Sequence, residues 1–365
     1  MSTPPVAGGP RKLRVLVVDD SAFNRRTIAE ILSSIPGVEV IGKAGDGEQA
    51  LAMVLAEKPD LVTLDLEMPR MDGFTLLKVL MAKRPTPVIV VSGRGAKPDV
   101  FRALELGAID FVVKPSTNAT LELASIRSEL EQKVQLARQL RPAKLGDGTR
   151  VTTTGLQRRV SVDGERPMPA DPVPKRVIVI ASSTGGPPAL VTLFSRLPSD
   201  LPAAIVVAQH MPERFTRTFA ERLERLGGMR VAELDDREPL RAGRAVVCPG
   251  GRCIEVSAKG SVPWVRAVPA TPEDRYVPSG DRLFESAAGV FGHRTIAVVL
   301  TGMGDDGTRG ARVVKAAGGM VIAESEDTAA IYGMPASATR AGLVDHSLAI
   351  HVMGDAIVRF ATQQG

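Results

Sequence analysis

The chain has 365 residues, of which 44% are hydrophobic, 24% charged and only 4% aromatic, and its net charge is +5. At about 150 residues per domain the length points to two domains, and the balance of apolar and charged residues excludes global disorder. Apolar runs such as 296–300 are strand-sized, far short of a membrane helix, and two cysteines with four histidines leave no disulfide framework and little metal chemistry.

Residues 1–10 form a Pro/Gly tail without the apolar centre of a secretory signal, so the protein is expected to be soluble and cytoplasmic, with no direct membrane insertion. From residue 14, short apolar runs alternate with amphipathic stretches. Strands are predicted over 14–18, 38–42, 61–65, 88–92 and 111–113, with helices between them, for example over 22–34 and 47–56. A last helix carries Ile126, Leu130, Val134 and Ala137 as one apolar stripe. This alternation predicts a parallel sheet with helices on both faces.

Residues 142–174 lose the pattern and are rich in Gly, Thr, Arg and Pro, as a linker would be. Apolar runs return at 176–181, 203–208, 295–300 and 320–323, suited to central parallel strands, with helical patterns at 214–226 and 308–317. Residues 244–268 read as an antiparallel excursion. The arginine-rich stretch 214–244 is interleaved with Glu213, Glu221, Glu224, Glu233, Asp235, Asp236 and Glu238. With only two tyrosines and one tryptophan for base stacking, it reads as a solvated helical face and not as a nucleic-acid surface.

In the first block, acidic and basic groups sit at the predicted C-terminal strand ends, where open α/β sheets place ligands. Asp19 and Asp20 follow the first strand, Asp65 ends the third, Ser92 the fourth, and Lys114 follows the fifth. Three converging carboxylates repel one another and favour a hard cation such as Mg²⁺. The cation and the lysine would stabilise charge as one carboxylate attacks a phosphoryl group. From about residue 12 to 131 this block resembles the receiver domain of two-component response regulators. The resemblance implies that Asp65 accepts the phosphoryl group and that Asp19 and Asp20, with Asp65, hold the metal. It likewise makes Ser92 and Phe111 the switch pair and Lys114 the phosphate-binding lysine.

In the second block the first strand runs into Ala181-Ser182-Ser183-Thr184-Gly185-Gly186 before a helical pattern opened by Pro187. Hydroxyls on such a turn meet backbone N–H groups that favour developing negative charge. The next strand ends at Gln209-His210-Met211-Pro212, and a later one at Thr301-Gly302-Met303-Gly304-Asp305-Asp306-Gly307. A serine, a histidine and an aspartate just past three parallel strands supply a nucleophile, a base and its orienting acid. The order Ser…His…Asp and the absence of Gly-x-Ser-x-Gly argue against an ordinary α/β-hydrolase. Gly302, Gly304 and Gly307, with Glu324 ending the next strand, match the dinucleotide fingerprint in form. Asp305 and Asp306 would repel a pyrophosphate there, so that reading is disfavoured.

Behind a receiver, these three motifs resemble the family of chemotaxis protein-glutamate methylesterases/protein-glutamine glutaminases. Pro278-Ser279-Gly280-Asp281 and Tyr332-Gly333-Met334-Pro335 also look like that family. By the resemblance, Ser183 is the nucleophile, His210 the base and Asp306 its carboxylate. Thr184 and Met303 are the candidates for an oxyanion hole of backbone N–H groups. The family has Gly-Ala where this chain has Ala181-Ser182, so Ser182 offers a second hydroxyl, although alignment on Thr-Gly-Gly favours Ser183. The implied fold is α/β, with two doubly wound parallel-sheet domains, a flavodoxin-like receiver and a Rossmann-like serine esterase. The expected bounds are a tail over 1–11, the receiver over 12–141, a linker over 142–174 and the esterase over 175–365. The implied activity is hydrolysis of glutamyl methyl esters, and deamidation of glutamines, on methyl-accepting chemotaxis receptors. A chemotaxis histidine kinase is the implied phosphodonor, with Mg²⁺ in the receiver and no cofactor for hydrolysis. The rivals are a binding module with a silent second domain and, more weakly, a DNA-binding regulator.

Overall fold

The computed structural model describes residues 11–93, 97–114, 120–137 and 173–363. The predicted tail and linker fall almost wholly outside these residues, as does the Ala137 side chain. The chain divides into two compact units, residues 1–149 and 150–365.

The first unit alternates strand and helix throughout: β1 (Leu13–Val18), α1 (Ala22–Ser33), β2 (Val38–Ala44), α2 (Gly47–Glu57), β3 (Leu61–Leu64), α3 (Gly73–Lys83), β4 (Val88–Ser92), α4 (Lys97–Glu105), β5 (Asp110–Val113) and α5 (Thr120–Ala137). The strands form one parallel sheet in the order β2-β1-β3-β4-β5. The order reverses at β1, which leaves a crevice at the carboxyl ends of β1 and β3. Short polar side chains start the helices: Ser21 accepts from Asn24 N–H, Asp46 from Gln49 N–H and Asp72 from Thr75 N–H. Ile126, Leu130 and Val134 of α5 pack with Ile28 and Leu32 of α1 against Val15, Val17, Ile89 and Val91. The predicted stripe is therefore the face that closes this side of the sheet.

The second unit contains β6 (Arg176–Ser182), α6 (Gly186–Phe194), β7 (Ala203–Gln209), α7 (Glu213–Leu226), β8 (Arg230–Glu233), β9 (Arg237–Pro239), β10 (Arg244–Val247), β11 (Arg252–Lys259), β12 (Val262–Pro269), α8 (Gly280–Phe291), β13 (Thr295–Val299), α9 (Thr308–Ala316), β14 (Met320–Glu324), α10 (Met334–Arg340), β15 (His346–Leu348) and α11 (Ile350–Thr362). Its main sheet has seven strands, all parallel, in the order β15-β14-β13-β6-β7-β10-β8. β6 is the middle strand, and Val177, Ile178, Val179, Ile180 and Ala181 are fully buried. Each such aliphatic side chain larger than alanine contributes roughly 1.5–3 kcal/mol.

Two readings of the sequence change here. Residues 244–247 do not begin an antiparallel excursion, because β10 pairs in parallel with β7 and β8. Only β11 and β12, with β9, form the small antiparallel sheet. Within the stretch read as a solvated helical face, α7 ends at Leu226, and β8 follows with its Val231 buried. A four-residue strand with a single fully buried side chain carries too little periodicity to separate it from the charged helix before it.

Candidate active site

The first unit gathers its polar residues where β1, β3, β4 and β5 end. Asp19 and Asp65 are buried and Asp20 is exposed, and an oxygen from each lies within 4.8 Å of the others. Lys114 reaches across from the end of β5 to both Asp19 Oδ2, at 2.9 Å, and Asp65 Oδ2. The buried Asp19 Oδ2 receives no aligned hydrogen bond. Burial pushes the Asp65 carboxyl above its ordinary value, and the Lys114 ammonium opposes this only in part. Burial works against the charge on Lys114, but Asp65 and Asp19 outweigh it and hold the ammonium above its ordinary value. This set of hard oxygens, with one under-satisfied, fits a Mg²⁺ ion. Ser92 is buried at the end of β4, and Phe111 is buried as the second residue of β5. Lys133 lies over the Phe111 ring at 5.2 Å and also donates to the Phe111 carbonyl. Gly73 is required beside the acidic loop, because a β-carbon there would come within 2.4 Å of the Asp65 carbonyl oxygen.

In the second unit β6 lies between β13 and β7, so the three loops that follow these strands meet at one edge. Ser183 N–H donates to Thr301 O at 3.0 Å, and His210 N–H to Ser182 O at 2.9 Å. The Ser183 hydroxyl lies 3.2 Å from His210 Nδ1, and His210 Nε2 lies 2.7 Å from Asp306 Oδ2. Because Asp306 is an acceptor, Nε2 carries the proton in the neutral ring, leaving the Nδ1 lone pair facing the Ser183 hydroxyl.

Asp306 is fully buried. Its Oδ2 also accepts Gly280 N–H at 2.8 Å, and its Oδ1 accepts Asp281 N–H and Gly307 N–H, each at 3.0 Å. Gly280 and Asp281 open α8, so the carboxylate sits on a helix N-terminus. Burial disfavours its charge, but the His210 bond and the backbone donors more than offset this and hold it below its ordinary value.

The structure separates the two serines. Ser182 is fully buried, and its hydroxyl donates to Gln209 Oε1 at 2.7 Å, away from the imidazole. Gln209 Nε2 in turn donates to the carbonyls of Ser183 and His210. Gln209 is thus a clamp between the two loops, and Gly186 makes room for it, since a β-carbon there would lie 2.1 Å from Gln209 Oε1. The Ala181 methyl, where the resembling family has glycine, faces the bare backbones of Gly280 and Gly307.

One further contact escaped the sequence reading, and one segment named there gains a structural role. Tyr276 stacks on His210, with ring centroids 5.3 Å apart and planes 13° from parallel. Its hydroxyl donates to Asp305, which also pairs with Arg275. Ser279 caps α8 by accepting Arg282 N–H. The Ser279-Gly280-Asp281 turn carried the sequence signature of a helix start, and that signal marks the donors to Asp306. Neither Gln209 nor Tyr276 had a spacing that tied it to the distant residues it touches.

Gly302 lies against the Ser183 turn: a β-carbon there would come within 2.7 Å of Ser183 Cβ. Thr184 is buried and Met303 is exposed on the facing loops. Among the described residues no helix is long and apolar enough to cross a membrane.

Comparison with known proteins gives two family matches. The CheB methylesterase family matches residues 178–357, and the response regulator receiver domain family matches residues 15–125. Protein-glutamate methylesterase/protein-glutamine glutaminase 3 of Geobacter sulfurreducens is 46% identical over 361 residues, covering 96% of this chain and 97% of its own length. Protein-glutamate methylesterase/protein-glutamine glutaminase 6 of Anaeromyxobacter dehalogenans is 48% identical over 359 residues, covering 97% of each. The crystal structure of the Thermotoga maritima CheB methylesterase catalytic domain superposes with a TM-score of 0.50 at 36% identity, covering 51% of this chain and 98% of that one.

Proposed function

The chain belongs to the protein-glutamate methylesterase/protein-glutamine glutaminase family, and from that premise we propose how its residues carry out a phosphorylation-regulated hydrolysis. The protein is a serine hydrolase that removes methyl esters from glutamate side chains of chemoreceptors and deamidates receptor glutamines. Ser183, His210 and Asp306 carry the reaction. The Ser183 Oγ attacks the side-chain carbonyl carbon while its proton passes to His210 Nδ1. Asp306 accepts the Nε2–H bond throughout and stabilises the imidazolium that forms. The carbonyl oxygen becomes an oxyanion, for which the Thr184 and Met303 backbone N–H groups are the proposed donors. The bond to the leaving group then breaks as His210 Nδ1 gives that proton to the leaving oxygen or nitrogen, releasing methanol from an ester or ammonia from an amide. A water molecule attacks the acyl-enzyme in a second round, His210 taking its proton and returning it to Ser183.

The observation that carries this reading is the continuous contact from Ser183 through His210 to an Asp306 fixed by three backbone N–H groups. The test is methanol release from methylated receptor together with labelling by a fluorophosphonate. Both are expected from the intact protein and from neither assay with Ser183→Ala. Methanol release that survives in Ser183→Ala would overturn the assignment.

In the first unit Asp65 is the proposed phosphoacceptor, taking the phosphoryl group from a chemotaxis histidine kinase. Asp19, Asp20 and Asp65 would hold Mg²⁺, which when bound neutralises charge on the transferring phosphoryl group. Lys114 is placed to pair with a phosphoryl oxygen, and Ser92 and Phe111 form the element that responds. The proposed domain bounds are 12–141 for the receiver and 175–365 for the hydrolase, with 142–174 between them. The proposed location is the cytoplasm, where receptor tails and kinase are both accessible.

A further inference from the structure

The acid that gave the glycine-rich loop its nucleotide-like form has a different occupation in the fold. Glu324 is the last residue of β14 and is 1% exposed. The pairing of Val299 with Ala323 puts it level with the start of the loop that follows β13. Its Oε2 accepts Thr301 N–H at 2.9 Å, and its Oε1 accepts the Thr328 hydroxyl at 3.0 Å. Thr328 is itself fixed, because its oxygen accepts Ile350 N–H at the start of α11.

Thr301 is the hub through which these contacts reach the chemistry. Its carbonyl accepts Ser183 N–H at 3.0 Å. Its hydroxyl lies 3.0 Å from Thr184 O and 3.2 Å from Ile331 O, and it accepts Ile331 N–H at 2.8 Å. The next residue, Gly302, is held on both sides, its N–H by Ile331 O and its carbonyl by Met334 N–H. One residue therefore ties down the nucleophile turn and begins the loop that carries Met303 and Asp306. The anchor behind it is a carboxyl group that burial pushes up to about 7. Keeping such a group in a core costs stability, where an apolar side chain of similar size is often tolerated better, so the role of Glu324 is to be sought in what its bonds hold.

We propose that Glu324 is a positioning residue for hydrolysis. By holding Thr301 N–H it fixes Thr301, and through Thr301 it fixes the Ser183 turn and the Met303 N–H in the geometry of acyl transfer. The inference rests on the assignment of Ser183 as the nucleophile. Glu324 lies behind the loop and touches no substrate, so its loss should change turnover and leave binding alone.

The experiment compares Glu324→Leu and Glu324→Gln in the full-length protein, with Ser183→Ala as the reference, following methanol release and the rate of fluorophosphonate labelling. Leucine keeps the volume and removes the acceptor. Glutamine keeps an acceptor oxygen for Thr301 N–H, and its NH₂ can donate to Thr328. Glu324→Leu is expected to lower kcat by roughly 10- to 100-fold with KM changed by less than about twofold, and to slow labelling in proportion. Glu324→Gln is expected to restore kcat to within about threefold of the parent. A folded Glu324→Leu that keeps its full kcat overturns the proposal, and so does a Glu324→Gln that falls as far as Glu324→Leu. If Glu324→Leu does not fold, Glu324→Met decides, because its unbranched side chain fills the same space more adaptably and also lacks the acceptor oxygens for Thr301 N–H. The same loss of kcat at constant KM is expected, and an unchanged kcat overturns the proposal. Activity persisting in Ser183→Ala would instead overturn the nucleophile assignment and leave the role of Glu324 to be judged on the other variants.

Discussion

Both units place an aspartate at the carboxyl edge of a parallel sheet and bury it almost completely, yet the two carboxyls are driven in opposite directions. Asp65 is 4% exposed and its proton affinity is raised, whereas Asp306 is 0% exposed and its proton affinity is lowered. Burial is the leading influence in both and acts the same way. The difference lies in the donors. Asp306 receives three backbone N–H groups and the imidazole at 2.7–3.0 Å. Asp65 has Lys114, a long 3.4 Å contact from Glu67 N–H, and the repulsion of Asp19. A carboxylate with its lone pairs committed is a fixed electrostatic support. One left short of donors keeps lone pairs for a cation and for attack on phosphorus. Depth of burial therefore says little about what a buried acid does until its donors are counted.

The largest effect should come from a change that leaves the Asp306 lattice untouched. Ser183→Ala removes the proposed nucleophile and disturbs none of the bonds to Asp306, so hydrolysis should fall by on the order of 10⁴-fold or more with an unchanged melting midpoint. Ser182→Ala removes a hydroxyl bonded to Gln209 and should retain most activity. If the two variants exchange behaviour, the geometry around Gln209 has been misread. Asp306→Asn should lower kcat by roughly 10³- to 10⁴-fold. Its NH₂ cannot accept the N–H groups now aimed at the carboxylate, so the second unit should also melt earlier.

The stability comparison sharpens the contrast further. Above the ordinary carboxylate range the contribution of Asp306 is complete, and it is lost as pH falls through its depressed value. Asp65 has the opposite sign: the folded state binds its proton more tightly, so stability declines as pH rises from the ordinary value through the raised one. At neutral pH Asp65→Asn should therefore raise the melting midpoint of the first unit, read by calorimetry of the full chain, while Asp306→Asn lowers that of the second. The same Asp65→Asn variant should keep basal hydrolysis and lose all stimulation by acetyl phosphate with Mg²⁺. A lower midpoint for Asp65→Asn would mean that Lys114 satisfies the carboxylate far better than its contacts indicate.

The sequence made most strands, the acidic pocket and the three loops that meet around His210 legible, for a common reason. Apolar runs such as 176–181 mark central parallel strands, and functional side chains gather where those strands end. What stayed hidden depended on contacts between residues far apart in the chain. The parallel pairing of Ala245 with Ile205 cannot be read from a four-residue strand with three apolar residues. Ser182 and Ser183 carry the same hydroxyl, and beyond the alignment on Thr-Gly-Gly that favours Ser183 it is the fold that tells them apart, turning one toward Gln209 and the other toward His210. Glu324 was visible as an acid at a strand end, but its partner Thr301 lies 23 residues away on the neighbouring strand's loop. The nucleotide fingerprint matched in form because any strand–turn–helix unit with close packing calls for glycines at similar places. Gly304 is needed here because its backbone is left-handed, with φ at +84°, and a β-carbon would meet the Tyr276 hydroxyl at 2.1 Å.

Tyr276 offers the smallest and most discriminating test of how the second site differs from the first. His210 is bounded by Asp306 at one nitrogen, Ser183 at the other and the Tyr276 ring along its face. That ring is held in turn by Asp305 at its hydroxyl, with the Arg275 guanidinium 5.1 Å from its centroid. An aromatic pair of this kind is worth about 0.5–1.5 kcal/mol, which corresponds to a factor of about 2 to 10 in rate if it is spent holding the imidazole in place. Tyr276→Leu should lower kcat by about that factor. Tyr276→Phe keeps the stack and loses only the bond to Asp305, so it should stay within about twofold of the parent. Equal rates for the parent and Tyr276→Leu would show that Asp306 and Ser183 alone fix the ring. A loss of more than about 100-fold is beyond what stacking can supply, and it would place the Tyr276 ring against the substrate itself.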